Sequence, residues 1–458
     1  MLDGCSLIRS WEAKRAYGEY QAAVASGDLV RTRRALTALV KADEDVAEYW
    51  TELGRVQLQL GDYNRAYDAF SHAHELDRTN VQILSIMTRL ALVSSQVDLA
   101  TENSKMLSLL SPDDPAVNLV DSYAALQSGN LDKSDALADK VLAAIPTDPI
   151  AKILKAHVLV ARGRVDDAIR LLEDQHRSVP NERNAIRGLI SLYRSRDDWR
   201  NLARIQLDLH KLDPRDRDIA DDTVEALLRA GNVSAARAVS GPLLSASAKT
   251  QTVDAALDAW ARFAPRGTML PGAMVLASSA SGEKRVAFAN YFNRMGKPAA
   301  AMALLDRPIL PVQAANVRWN AVFAQALAFE RRRDEAKRLF DQVLEVEPDQ
   351  VEALRGRAAL EAQIGMAKQA VVDAQRLVSL APASGENRIL LAQSYRAAGS
   401  ERDVQRTLWQ AFQDLPTDER VFAALRGVLM AAGDSDGARR LNGELAAQRA
   451  ARLTKELI

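Results

Sequence analysis

The residues with the greatest chemical potential are acidic: Asp221, Asp222 and Glu225 put three carboxylates into one short stretch. Paired carboxylates can serve as general acid and base, and larger sets can hold a hard cation through oxygen. The spacing supplies no partner for either task, and the cluster reads as the solvated acidic face of a helix. His72 and His74 stand two positions apart. On a helix that offset sends them to different faces, whereas two histidines that share a metal sit four apart. Cys5 is the one cysteine, which excludes an internal disulfide and any CxxC motif in the sequence. It has no scaffold to fix a base beside it, so a nucleophilic role lacks support. The 22 glycines form neither a GxxxxGK[ST] phosphate loop nor a GxGxxG turn after a strand, and no serine sits in a recognisable nucleophile elbow. The expectation is a non-catalytic chain with no cofactor and no metal site.

The elements that would position any binding residues follow from the prolines. A chain of 458 residues is too long for one ordinary core, so it must split into domains or extend as stacked repeats. Pro112, Pro146, Pro180 and Pro214 stand 34 residues apart, and Pro348, Pro382 and Pro416 resume that interval. Seven of the 15 prolines obey one ruler, and the gap between Pro214 and Pro348 is only two residues short of four intervals. One array therefore runs through the chain. Ala47 to Asn80 shows its content: Trp50, Leu53 and the Leu58 to Leu60 stretch give a first helix a buried stripe, and Gly54 leaves room for a close neighbour. Gly61 can end that helix in the left-handed conformation, and Asp62 can cap the next. Ala66 and Ala73 keep one face of the second helix shallow while Phe70 fills the gap. Proline then stops the helix, because it lacks an N–H and clashes with the preceding turn.

These residues resemble the tetratricopeptide repeat, whose 34-residue unit carries W-x2-L-G-x2-Y, A-x3-F and P. Trp50-Thr51-Glu52-Leu53-Gly54, Ala66 with Phe70 and the proline ladder match it, while Gln57 stands where the family has tyrosine. Gly129, Gly163, Gly231, Gly399 and Gly433 recur at the place of Gly61, so the resemblance covers nearly the whole chain. It implies an all-α, right-handed superhelical solenoid of antiparallel helix pairs. Thirteen repeats are expected, opening near Ala13, Ala47, Val81, Pro115, Pro149, Arg183, Arg217, Gln251, Gly282, Val317, Val351, Gly385 and Glu419. The resemblance also places ligands on the concave wall lined by first helices. Its ninth-place row here reads Arg55, Arg89, Tyr123, His157, Ser191 and Glu225, and its fifth-place row includes Thr51, Leu119, Ile153, Arg187 and Asp221. The candidate binding residues are thus Arg55, Arg89, Tyr123, His157, Arg187, Asp221 and Glu225. Two readings of the apolar members stay open, a groove floor or packing against the next repeat. The Lys and Asn that clamp a chaperone tail in some members are replaced by Thr51 and Arg55, which disfavours that partner.

The expected organisation is an N-terminal array over 1–250, an irregular stretch over 251–316, and a C-terminal array over 317–458 that ends in a capping helix. Pro265, Pro271, Pro308 and Pro311 interrupt the middle stretch, which is either a hinge or a divergent pair of repeats. Trp319 also sits one residue out of step with Trp50. Sixty basic residues balance sixty acidic ones, so no net field favours nucleic acid. No uncharged apolar run is long enough for a transmembrane segment. The leading expectation is a bacterial scaffold or adaptor that holds a peptide or partner protein in its groove, cytoplasmic by default. Leu2-Asp3-Gly4-Cys5-Ser6 supplies another reading, since it is similar to the end of a bacterial lipoprotein signal apart from Asp3. If the true start lay upstream, Cys5 would carry a lipid anchor. The chain would then be a periplasmic or outer-membrane lipoprotein of exopolysaccharide export. A third reading is a regulatory arm of an enzyme complex.

Overall fold

In the computed structural model, residues 3–457 are described, with side chains from 11 to 448. They form α-helices with one short 3-10 turn, and no strand occurs among the described residues. The first hairpins are α1 (Asp3–Ser26) with α2 (Leu29–Ala42), α3 (Ala47–Gln59) with α4 (Tyr63–Leu76), α5 (Val81–Val93) with α6 (Val97–Leu110), α7 (Pro115–Gln127) with α8 (Leu131–Ala144) and α9 (Pro149–Ala161) with α10 (Val165–Ser178). Next come α11 (Arg183–Ser195) with α12 (Trp199–Leu212), α13 (Arg217–Arg229) with α14 (Val233–Leu243), α15 (Thr250–Phe263) with α16 (Ala273–Ser279) and α17 (Gly282–Arg294) with α18 (Pro298–Leu305). The series closes with α19 (Val317–Phe329) and α20 (Arg333–Val346), α21 (Val351–Gln363) and α22 (Ala367–Leu380), α23 (Gly385–Ala397) and α24 (Glu401–Asp414), then α25 (Glu419–Ala431) and α26 (Ser435–Leu457). The fold is an all-α solenoid of antiparallel helix pairs.

The regular units have a first helix of 13 residues and a second of 14. Each proline of the ladder stands just past the end of a second helix, as its missing N–H requires. Gly61 takes φ +77° at the hairpin corner, and Asp62 accepts from the Arg65 amide to cap α4. A Cβ on Gly54 would lie 2.8 Å from the Phe70 ring, so the glycine is required by close approach. Ala66, Phe70 and Ala73 are fully buried with Ile83 and Met87 of the next first helix, so the apolar core runs continuously from one hairpin to its neighbour.

The middle repeats depart from this plan for local reasons. Ala264 turns to extended backbone before Pro265, as the residue preceding proline must, and α15 ends there. Only seven residues of α16 and eight of α18 remain as second helices. The chain from α18 to α19 runs through the turn at Ala314–Asn316, which places Trp319 third in α19 where Trp50 is fourth in α3. Trp319 nevertheless keeps an indole bond to the Arg307 carbonyl, as Trp50 does to that of Glu44.

Two compact units divide within α11, one up to residue 188 and one from 189 to 457. In the second unit a single guanidinium ties four successive first helices. Arg318 of α19 donates to Asp254 of α15 at 2.8 Å, Glu283 of α17 at 3.3 Å and Glu352 of α21 at 2.9 Å. Arg229 of α13 makes the longest-range tie of that unit, donating to Glu225 at 2.8 Å and to Glu419 of α25 at 2.7 Å. Its guanidinium lies 4.2 Å from the Trp199 ring centre and 4.5 Å from that of Phe263, a cation–π sandwich. No helix among the described residues is long and apolar enough to cross a membrane. The side chain of Cys5 lies outside the described residues.

Candidate binding groove

The seven residues of the expected rows differ in their surroundings. Arg55 is exposed and paired with Glu52 of its own helix at 2.5 Å. Arg187 is exposed. Arg89 reaches out of its repeat to Asp148 at 2.5 Å, whose carboxylate is wholly buried and also accepts from the Ala151 amide to cap α9. Tyr123 is half-buried against the cluster of Leu119, Ala138, Val141 and Leu154. Leu119 and Leu154 belong to that packed cluster rather than to an open floor. Asp221 pairs with Arg217 at 3.4 Å, and burial pushes its carboxyl above the ordinary aspartate range. Glu225 holds Arg229.

His157 is buried, and its Nδ1 has no hydrogen-bond partner. Burial alone lowers its pKa from 6.5 to about 4, because the charged ring cannot be solvated there. A histidine with a depressed folded pKa takes up its proton in the unfolded chain first, so stability is full above pH 6.5 and declines as pH falls towards 4. The loss approaches about 3 kcal/mol, since each tenfold difference in proton affinity between the folded and unfolded chains is worth about 1.4 kcal/mol. We expect the thermal midpoint of the wild-type chain to fall more steeply between pH 6.5 and 4.5 than that of His157→Leu. Parallel curves would show that the ring titrates normally.

A concavity lies in the second unit. It has a volume of about 830 Å³ and is lined by the first helices α15, α17, α19, α21, α23 and α25. Phe329, at the end of α19, leaves 58% of its surface exposed on this wall, beside Ala328, Ala359 and Ile389. Five arginines line it: Arg294, Arg331, Arg333, Arg355 and Arg420, against one carboxylate, Glu386. Asn293 lines it too. Its amide donates to the Val322 carbonyl while its buried Oδ1 has no partner.

Comparison with known sequences matches residues 47–80 to the tetratricopeptide repeat, the hairpin α3–α4 with its Trp50, Gly54 and Phe70. Residues 118–253 match the region described as Psidin, N-terminal TPR repeats. The chain is a tetratricopeptide repeat protein. No curated protein matches it. Among solved structures it is similar to the MamA protein, with 17% identity over 36% of this chain and 91% of that one, at a TM-score of 0.29. A tetratricopeptide repeat protein from Parabacteroides merdae ATCC 43184 shares 12% identity over 76% and 99% of the two chains, at 0.29. A chain of the APC/C hetero-tetramer Cut9-Hcn1 shares 12% over 97% and 96%, at 0.31.

Two features of this tetratricopeptide array escape a reading of its sequence by prolines and glycines alone. Asn80, Asp114, Asp148, Asp216 and Asp418 stand immediately before first helices, and each accepts amide bonds there. Like the prolines, they fall on the 34-residue ruler, so the period could have found them. Arg331 occupies the corner place held by glycine in nine hairpins and by Ser95 and Asp197 in two others, and takes φ +62°. The signal was Glu330-Arg331-Arg332-Arg333 at a place where most corners carry glycine. Gly433-Asp434-Ser435-Asp436-Gly437 spells the nucleophile-elbow pattern, yet it is a corner between α25 and α26, with Asp434 capping Gly437 and no strand before it.

Proposed function

We propose that this tetratricopeptide repeat protein is a non-catalytic scaffold that holds a segment of a partner protein against the first-helix wall of its second unit. The supporting observation is Phe329: a large aromatic ring left 58% exposed within a concave, arginine-lined wall is the usual anchor of a docked chain. The polar row of the first unit is less available, since Arg89 is committed to a buried carboxylate and His157 is enclosed. Arg55 and Arg187 remain its exposed members.

The test is capture of partners from the native host by the full chain carrying Phe329→Glu or Arg55→Glu with Arg187→Glu. The Phe329 variant should lose the proteins retained by the wild type, with helicity unchanged by circular dichroism. The double variant should retain them. The reverse pattern would move the site to the first unit and sink the proposal.

A further inference from the structure

We infer that the groove of the second unit recognises an acidic protein segment, and that Arg331 is held in a strained corner in order to contact it. The inference rests on the scaffold reading and adds the chemistry of the partner. Its first support is the balance of charge along the wall. Arg294 is paired with Asp258 and lies 3.5 Å from Glu386. Arg420 is paired with Asp418 at 3.2 Å and lies 3.9 Å from the same Glu386. Arg331, Arg333 and Arg355 have no carboxylate within ion-pairing distance among the described residues. Arg355 donates only to the Asn387 side-chain oxygen at 3.1 Å, and its Nε is buried without a partner. Three guanidiniums thus face one cavity with their charge uncompensated, in a chain whose net charge is zero.

The second support is independent of charge. Nine hairpin corners carry glycine at positive φ at the place that Arg331 fills, including Gly61, Gly129, Gly163, Gly231, Gly399 and Gly433; Ser95 and Asp197 are the other non-glycine residues there, and of the three only Arg331 lines this cavity. A residue with a Cβ is strained there, and a glycine would remove the strain at no loss of packing, since a Cβ at most of these corners meets nothing. A strained backbone at the rim of a cavity points to use of the side chain it carries. Guanidinium suits this use, because its planar fork pairs with carboxylate in two parallel bonds. Protein rather than nucleic acid is favoured by the apolar part of the wall, where Phe329 and Ile389 would seat an aliphatic side chain. The balanced charge of the whole chain offers no extended basic track for a polyanion.

The experiment uses the full chain and a fluorescein-labelled peptide of alternating glutamate and leucine, read by fluorescence anisotropy. A glutamine–leucine peptide and a single-stranded oligonucleotide of equal charge serve as comparisons. The acidic peptide should bind, and the glutamine peptide at least tenfold more weakly. Arg331→Gly should raise the thermal midpoint and weaken the acidic peptide at least fivefold. Arg333→Ser with Arg355→Met should weaken it further, whereas Arg332→Ala, which breaks only the pair with Glu335, should not. No binding by the acidic peptide, equal binding by the glutamine peptide, tighter binding by the oligonucleotide, or an Arg331→Gly chain that is less stable or binds as well as wild type each overturns the inference. If Phe329→Glu abolishes partner capture while the arginine changes do nothing, the groove stands and the acidic class falls. If Phe329→Glu leaves capture intact, the groove itself falls.

Discussion

Exchange of Arg318 for methionine is expected to cost about 3–5 kcal/mol of stability, the range for breaking a largely buried charge network by removing one partner. The side chain is 23% exposed and serves three carboxylates on three different helices. Burial pushes the Glu352 carboxyl up, and the charge and hydrogen bond of Arg318 more than reverse it, holding it below the ordinary glutamate range. Glu352 therefore contributes stability that is present above its unfolded pKa and is lost as pH falls through the folded one. Without Arg318, burial is opposed only by a backbone hydrogen bond and by the Gln350 side chain at 2.6 Å, so Glu352 would resist ionisation more in the folded chain and its contribution would fall. The deficit of the variant should accordingly be largest at pH 7 and shrink as the pH falls towards 4. Denaturant midpoints measured at both pH values check this, and a deficit that does not change with pH would mean that Glu352 is already solvated. Arg318→Met combined with Glu352→Gln should recover part of the loss at pH 7.

Phe340→Ala should cost a similar amount, about 3–5 kcal/mol, since the ring is fully buried and its removal leaves a cavity. The informative variant is its neighbour. A Cβ on Gly356 would lie 2.7 Å from the Phe340 ring at Cε1 and 2.9 Å from Gln325, so Gly356→Ala alone should destabilise by about 1–3 kcal/mol through overpacking. In the Phe340→Ala background the same change should cost clearly less, because the ring is gone and only the Gln325 contact remains. Calorimetry of the two single variants and the double variant gives the coupling directly. Strictly additive losses would show that α21 does not approach α20 as closely as the structure places it.

Much of this fold is legible in the chain itself, because a solenoid repeats its instructions. First helices α3, α5, α7, α9, α11, α13, α17, α19, α21, α23 and α25 begin at the residues marked by the 34-residue ruler, and α15 begins at Thr250, one before Gln251. Proline, corner glycine and capping acid act through local sterics and single hydrogen bonds, and local rules survive translation along the chain. The binding wall is harder to read for the opposite reason. The ninth place of the repeat promises an inward side chain, but whether that side chain meets water depends on neighbours brought in from other repeats. Arg89 finds Asp148 two repeats on, and His157 falls into the core. The uncompensated arginines become visible only when α17, α19, α21, α23 and α25 stand side by side, since pairing between repeats decides which guanidiniums are left over.

The Arg229–Glu419 bond joins residues 190 positions apart. In a strictly nearest-neighbour stack, each end can fray alone, and melting spreads inward one hairpin at a time. A tie between α13 and α25 removes that freedom: the terminal hairpins of the second unit cannot peel away without breaking a contact whose other half lies near its beginning. Native-state hydrogen exchange should then show α25 opening together with α13 rather than ahead of it, and Glu419→Gln should restore the independent fraying of an open spring.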